Sequence, residues 1–215
     1  MNFIELFAGI GAFRLGLERT GHKCVWSNEI LKAPRKIYAK NFGEEPDARD
    51  IRDVQAADLP EAELLVGGFP CATFSAAGRQ TGFSLEDTRG TLAFEMFRLA
   101  RDASIPYILF ENVKGLLRHD QGRTFRVILE SLDKLGYDCQ WQLLNSTNFG
   151  ISQNRERIFL VGNLRGAPRP KYFRSKEFIM KLLQGEAEKN LRRKTKVLPD
   201  GKTESKSNLT FFDLP

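Results

Sequence analysis

The feature that most constrains the fold of this chain is a regular alternation of two kinds of segment up to about residue 163. Five short apolar runs have the length and composition of buried strands: NFIELF, KCVWSN, ELLVGG, YILFEN and RIFLVGN. Between them lie four segments whose apolar residues recur at helical spacing: AFRLGLERTG, LKAPRKIYAKNF, TLAFEMFRLARDA and RTFRVILESLDKLG. This alternation predicts βαβ units, and therefore an α/β fold with a mostly parallel sheet covered by helices on both faces.

The alternation stops in the last part of the chain. Gly166, Pro168 and Pro170 mark a boundary, so we predict one domain at residues 1–170 and a basic C-terminal tail at residues 171–215. The tail carries 11 Lys and Arg against 6 Asp and Glu, which is +5 of the total net charge of +6. Such a tail suits a polyanion such as nucleic acid, and a merely solvated segment explains the charge equally well.

The composition narrows the class of protein. Three cysteines are odd in number and widely spaced, which argues against a disulfide framework or a zinc site and for a reducing compartment. With only two histidines, the sequence predicts no metal centre. There is neither a basic leader nor an uncharged run of membrane-spanning length. We therefore expect a cytoplasmic protein without a membrane partner.

The residues that suggest chemistry all follow predicted strands. Gly9 and Gly11 come after the first strand, Glu29 ends the second, Cys71 follows the third and Glu111 ends the fourth. Ligands of open α/β sheets bind at the carboxyl ends of the strands. The shared placement of these residues therefore predicts a site at the edge of the sheet that is formed by the carboxyl ends of the strands.

Each residue near the first two strands also has a purely structural interpretation. Gly9 and Gly11 allow a ligand to approach the backbone before a helix, or form a tight turn. Arg14 occupies the position of the third glycine of a dinucleotide fingerprint, so that motif is excluded. Glu29 suits ribose hydroxyls or a helix cap, and Asp50 suits a ligand or a turn.

Cys71 is the candidate nucleophile. Free cysteine is usually buried, but here a proline precedes it and the polar residues TFS follow closely. Cys24 and Cys139 lie inside strand-like runs, and we assign both to packing. A reactive thiolate needs a positive environment, for which the candidates are Arg89, Arg155 and Arg157.

Glu111 is the candidate acid. It ends an apolar strand, so burial should raise its pKa and favour a carboxyl that donates a proton. A thiolate beside such a carboxyl suits attack on an electron-poor ring whose nitrogen is protonated or hydrogen-bonded.

The motifs, in their order along the chain, resemble those of the DNA (cytosine-5) methyltransferase family over residues 2 to about 163. ELFAGIGAF resembles the cofactor-binding motif, SNE and RDI resemble the acids that hold ribose and adenine, and GFPCATFS resembles the nucleophile motif. DTRGTLAFE, ENV and QNRERIFLVG resemble the segment after the catalytic loop, the glutamate motif and the paired-arginine motif. Several long motifs in matching order make the resemblance specific.

This resemblance implies a Rossmann-like methyltransferase fold that uses S-adenosylmethionine, with a mostly parallel sheet and an antiparallel strand near the end. It implies a cofactor site at Phe7, Gly9, Gly11, Glu29, Asp50, Ile51 and Pro70. It places catalysis on Cys71, Glu111, Arg155 and Arg157. It assigns DNA contacts or the catalytic loop to Ser75, Arg79, Arg89, Asn112 and Gln153.

The family mechanism gives these residues roles. Cys71 would add to C6 of a cytosine, Glu111 would engage the N3 side of the ring, and Arg157 would steady the edge of the base. Because the base is out of reach inside double-stranded DNA, it must be flipped into the pocket, and the loop from about residue 75 to 89 would close over it.

The chain departs from the family pattern in three places. Ala72 stands where glutamine is usual after the cysteine, and Ile30 stands where an aromatic residue often stacks on adenine. Residues 171–215 lack the target-recognition region and the two further motifs of the family. We therefore expect a restriction–modification methyltransferase whose target recognition lies on a second subunit, or a truncated member.

Three alternatives remain. A tRNA-methylating branch shares these motifs, but it commonly carries a threonine-containing nucleophile motif unlike GFPCATFS. A non-catalytic fragment could bind nucleic acid or a partner through its basic tail, although the presence of Cys71, Glu111 and Arg157 together favours an enzyme. The third alternative, a nicotinamide dehydrogenase, is supported by the fold class alone.

Overall fold

A computed structural model describes residues 1–70 and 92–168. Within these ranges the six strands are β1 (Asn2–Leu6), β2 (Lys23–Asn28), β3 (Leu64–Gly68), β4 (Tyr107–Val113), β5 (Tyr137–Asn145) and β6 (Glu156–Leu164). The α-helices are α1 (Ala12–Glu18), α2 (Lys32–Phe42), α3 (Leu92–Asp102) and α4 (Arg123–Lys134). All five predicted strands and four predicted helices are confirmed, and the run around Cys139 forms β5. The boundary at residue 170 lies outside the described residues and stays a prediction.

The strands form one sheet in the order β2-β1-β3-β4-β6-β5. The first four are parallel, as helical crossovers between consecutive strands require, whereas β6 is antiparallel to both β4 and β5. The mostly parallel α/β sheet with an antiparallel strand near the end is therefore confirmed.

The core lies on both faces of the sheet because alternate residues of each strand point to opposite sides. In β1, Ile4 and Leu6 pack in the larger cluster with α3 and α4, whereas Phe3 packs in a smaller cluster with Leu17 of α1. The apolar face of α4 shows how helical spacing produces this burial. Its residues Phe125, Ile128 and Leu132 recur at helical spacing and are at most 2% exposed. Burial of each such side chain stabilises the folded state by roughly 1.5–3 kcal/mol.

The sheet topology decides where a site can form. Parallel strands β1, β3 and β4 end at the same edge, and the antiparallel strand β6 begins there. Side chains from the ends of three strands and the start of a fourth therefore meet at this edge, although they are distant in the sequence.

Candidate active site

The strand register at this edge aligns the predicted catalytic residues. Gly68 of β3 pairs with Glu111 of β4, and Arg157 of β6 pairs with Val113 of β4. The segment that leads to Cys71 therefore leaves the sheet directly beside Glu111.

Glu111 and Arg157 form an ion pair. Arg157 Nε lies 2.8 Å from Glu111 Oε1, and each side chain is 22% exposed. Burial raises the pKa of Glu111 above its usual value, and the positive charges of Arg157 and Arg155 offset this only in part. The predicted direction of the pKa shift is thus confirmed. A carboxyl with a raised pKa holds its proton more readily than an exposed one and can therefore share it with a substrate atom.

Gly68 leaves room for the Glu111 carboxylate. A Cβ atom at Gly68 would lie 2.8 Å from Glu111 Oε2, which is closer than a carbon atom tolerates. Any side chain at this position would push the carboxylate away. The close approach of β3 to the acid therefore explains the second glycine of the run ELLVGG.

Asn112 fixes the root of the segment that carries Cys71. It is only 4% exposed, and its Nδ2 donates a 2.9 Å hydrogen bond to the carbonyl oxygen of Phe69. Its Oδ1 accepts from the backbone N–H of Val113. Asn112 therefore ties the end of β4 to the residue two positions before Cys71, with its amide group turned inward.

The loop after β1 adopts an unusual backbone conformation beside the end of β2. Phe7, Gly9 and Gly11 have φ values of 52°, 56° and 89°, in the left-handed region. At Gly11 a Cβ would also collide with the ring of Phe42. Left-handed φ at a bulky residue such as Phe7 is strained, and strain of this kind concentrates at functional sites.

Glu29 connects this loop to α2. Its Oε2 accepts a 2.9 Å hydrogen bond from the N–H of Gly9, and its Oε1 accepts a 2.8 Å bond from the N–H of Leu31. Glu29 is 8% exposed, so it is a buried link and not a surface cap. Each carboxylate oxygen keeps a further lone pair that can accept from a hydroxyl group.

Asp50 and Ile51 reach the same edge through Asn28. The Asn28 side chain donates to the carbonyl oxygens of Asp47 and Arg49, which ties this segment to the end of β2. Hydrogen bonds from Arg52 lower the pKa of Asp50 to about 2, so its carboxylate is ionised at neutral pH. The Ile51 side chain is 3% exposed and belongs to the core.

A cleft of about 500 Å³ opens between the loop after β1 and the start of β6. Four of the predicted site residues line it: Phe7, Glu111, Arg155 and Arg157. Aromatic rings from α1, the 146–149 turn and β6 form much of the remaining wall: Phe13, Phe149 and Phe159. The cleft therefore combines an apolar wall with two acids, Glu5 and Glu111, and two arginines.

The remaining predicted residues lie elsewhere. Gln153 is exposed in the segment between β5 and β6, and its carbonyl oxygen accepts from the Ser146 hydroxyl. Pro70 is exposed at the end of the first described range. Four predicted residues lie outside the described residues: Cys71, Ser75, Arg79 and Arg89.

Cys24 and Cys139 are free thiols that pack in the structure, as predicted. Burial raises the pKa of Cys24 to about 11 and that of Cys139 to about 12. Both thiols are therefore protonated and unreactive at neutral pH.

Three residues that shape the site could not be predicted from the sequence. Glu5 lines the cleft although it is 0% exposed, and its signal was a charged residue inside the apolar run NFIELF. Gly68 ends a predicted strand, and nothing in the sequence indicated its contact with Glu111. Arg98 of α3 donates to the carbonyl oxygens of Ile51 and Val54, and no local pattern marks it.

Residues 1–70 and 92–168 contain no group of three or more His, Cys, Asp or Glu side chains that could hold a metal ion. Among the same residues, no helix has the length and apolar character that crossing a membrane requires.

Comparisons with known proteins place the chain in a family. The family model for C-5 cytosine-specific DNA methylases matches residues 1–212. Type II methyltransferase M.BanI of Aneurinibacillus aneurinilyticus is 46% identical over 175 residues, which cover 79% of this chain and 40% of the relative. M.HhaI of Haemophilus parahaemolyticus is 40% identical over 193 residues, which cover 87% of this chain and 58% of the relative. The chain thus spans about half the length of these relatives.

Solved structures show the same fold at lower identity. A mutant DNMT2 of Spodoptera frugiperda superposes with a TM-score of 0.63 at 20% identity, covering 79% of this chain and 51% of that one. The Dnmt2 methyltransferase of S. pombe gives a TM-score of 0.58 at 21% identity, with coverage of 81% and 54%. These two likenesses support the methyltransferase fold, and the family match and curated relatives decide the membership. The chain belongs to the C-5 cytosine-specific DNA methylase family.

Proposed function

We propose that this chain is the catalytic part of an enzyme that transfers a methyl group from S-adenosylmethionine to C5 of cytosine in double-stranded DNA. The type II methyltransferases among its relatives support a role in a restriction–modification system. With DNA as its substrate, the protein would work in the cytoplasm, at the nucleoid if the cell is prokaryotic.

One observation carries the proposal. The Glu111–Arg157 pair stands beside Gly68, and Asn112 holds the carbonyl oxygen of Phe69. An acid of raised pKa therefore lies at the root of the segment that carries Cys71.

The loop after β1 fits the proposed cofactor. A Cβ at Gly9 would meet nothing within 4 Å, so the loop has an open side for a ligand. Glu29 fixes this loop while keeping lone pairs for ribose hydroxyls. The residues that would hold the cofactor are Phe7, Gly9, Gly11, Glu29, Asp50, Ile51 and Pro70. S-adenosylmethionine supplies an electrophilic methyl group on a sulfonium.

The chain's own residues would activate the base. The Cys71 thiolate forms a bond to C6, while Glu111 holds a proton or hydrogen bond at N3 and so accommodates the charge that moves into the ring. C5 thereby becomes nucleophilic. After methylation, a water molecule accepts the C5 proton, which restores the C5–C6 double bond and releases Cys71 as a thiolate. Arg157 keeps the Glu111 carboxyl oriented throughout.

Labelled S-adenosylmethionine tests this function. In the presence of the protein encoded immediately downstream, we expect label in mixed-sequence duplex DNA, none with Cys71→Ser, and nearly unchanged transfer with Cys139→Ser, the matched control, which removes a partly buried thiol. Label in tRNA and not in DNA would contradict the DNA assignment. Equal activity of Cys71→Ser and the unsubstituted protein would contradict the covalent mechanism.

We further propose that a second polypeptide supplies target recognition, since residues 171–215 do not resemble the target-recognition region of the family. Methyl transfer is measured with this chain alone and with the protein encoded immediately downstream. Transfer that appears only with the second protein supports the proposal, and transfer by this chain alone contradicts it. Calorimetric binding of S-adenosylmethionine to this chain tests the cofactor site independently.

A further inference from the structure

Arg98 of α3 makes three hydrogen bonds outside the cleft. One terminal nitrogen, Nη2, donates to the carbonyl oxygen of Ile51 at 3.1 Å and to that of Val54 at 2.8 Å. Its Nε donates to Glu95 Oε2 at 2.7 Å. The side chains of Glu95 and Arg98 are only 11% and 23% exposed, so this guanidinium is largely shielded from bulk water.

The two carbonyl oxygens belong to the turn that carries Asp50. Within this turn the N–H of Asp53 donates to the carbonyl of Asp50, and the N–H of Val54 donates to that of Ile51. The Ile51 and Val54 side chains are at most 3% exposed, so the turn is anchored in the core. Arg98 adds the polar half of the anchor, from a helix 47 positions away along the chain.

We propose that Arg98 is a positioning residue for the cofactor, acting through the turn at residues 50–54. This inference rests on the proposed function, which assigns Asp50 and Ile51 to the adenosyl end of S-adenosylmethionine. Arg98 holds the two carbonyls of the turn at a fixed distance from α3, and Glu95 fixes the guanidinium. The Asp50 carboxylate then stands ionised at one place on the edge of the sheet.

The planar guanidinium matters for this role. It serves two carbonyls and one carboxylate at once, whereas a lysine ammonium is a compact group on a flexible stem. Arg98→Lys should therefore keep part of this hydrogen bonding, and Arg98→Met should lose it. Arg101 offers a matched control, because it lies on the same helix with a 57% exposed side chain paired to Asp102.

Hydrogen exchange tests the anchor without any ligand. In the full chain we expect the amides of Asp53 and Val54 to exchange about tenfold faster in Arg98→Met, because their turn opens more often. Amides of β1 and β3 should be unchanged, and Arg101→Met should resemble the unsubstituted chain throughout. Equal exchange at Asp53 and Val54 in Arg98→Met and Arg101→Met would overturn the proposal.

Cofactor binding tests the functional consequence. We expect Arg98→Met to weaken S-adenosylmethionine binding about tenfold in calorimetry, Arg98→Lys to weaken it less, and Arg101→Met to leave it unchanged. If Arg98 acts through the turn, Asp50→Asn should cost much less affinity in the Arg98→Met background than alone. Effects that simply multiply would contradict the proposal.

These experiments distinguish a failure of the proposed function from a failure of the positioning role of Arg98. An unsubstituted chain that fails to bind S-adenosylmethionine contradicts the proposed function, and the exchange experiment still decides whether Arg98 anchors the turn. A chain that binds the cofactor while Arg98→Met binds equally well refutes the positioning role alone.

Discussion

Glu5→Gln should remove a pH dependence of stability that the fold builds into β1. Glu5 lies on the same face of the strand as Phe3, under α1, and is 0% exposed. Its carboxyl oxygens accept from the N–H of Arg14 and from the Tyr38 hydroxyl, each at 3.3 Å. Burial raises the pKa of Glu5 from 4.5 to about 7, and these contacts lower it only in part.

The size of this pH dependence follows from the pKa of Glu5 in the unfolded chain and in the folded chain. Between about 4.5 and 7, the unfolded chain has released the Glu5 proton while the folded chain still holds it. Rising pH therefore reduces the free energy of unfolding over this window, and the loss is complete above the folded pKa. At about 1.4 kcal/mol for each pH unit of this window, the loss amounts to about 3 kcal/mol.

Urea unfolding from pH 4.5 to 8.5 measures this effect. We expect the unfolding free energy of the unsubstituted protein, relative to Glu5→Gln, to fall by up to about 3 kcal/mol as pH rises through the window. Glu130→Gln, on the exposed side of α4, provides the control, since it leaves the buried carboxyl in place. A constant difference between the unsubstituted protein and Glu5→Gln across the pH range would refute the reasoning.

Three further predictions concern the edge of the sheet. Gly68→Ala should displace the Glu111 carboxylate and lower kcat for methyl transfer by about tenfold to a hundredfold, whereas an unchanged kcat would show that the 2.8 Å approach does not matter. Asn112→Ala should lower the unfolding free energy in urea by about 1–3 kcal/mol, because the buried hydrogen bond from Asn112 to the carbonyl oxygen of Phe69 is lost. Arg157→Met should raise the pKa of Glu111, since a positive charge that lowers it is removed. The limb of the pH–rate profile that reports Glu111 should move to higher pH, and an unmoved limb would contradict this.

Some of the site could be predicted because its signals are local. Strand ends can be read from short apolar runs, and the carboxyl ends of parallel strands share one edge, so Glu29 and Glu111 were placed correctly at that edge. Burial of Glu111 also followed from its apolar neighbours in the sequence. The ion-pair partner of Glu111 could not be predicted from the sequence, because Arg155 and Arg157 have the same charge and lie two positions apart.

The structure alone selects Arg157. In the antiparallel register it pairs with Val113 and its guanidinium reaches Glu111. The hydrogen bond from Asn112 to the carbonyl oxygen of Phe69 likewise became visible only in the structure. Both outcomes depend on distances between strands that are far apart in the sequence.

The sequence by itself determined the α/β class, the strands and helices and the edge where the chemistry lies, because hydrophobic periodicity and strand ends are short-range properties. Only the tertiary structure decided that Glu5 is buried under α1 with a raised pKa, that Gly68 makes room for Glu111, and that Arg98 holds the turn after Asp50. Each of these contacts joins different secondary-structure elements. Strand register and helix packing fix such contacts, and no local pattern encodes them.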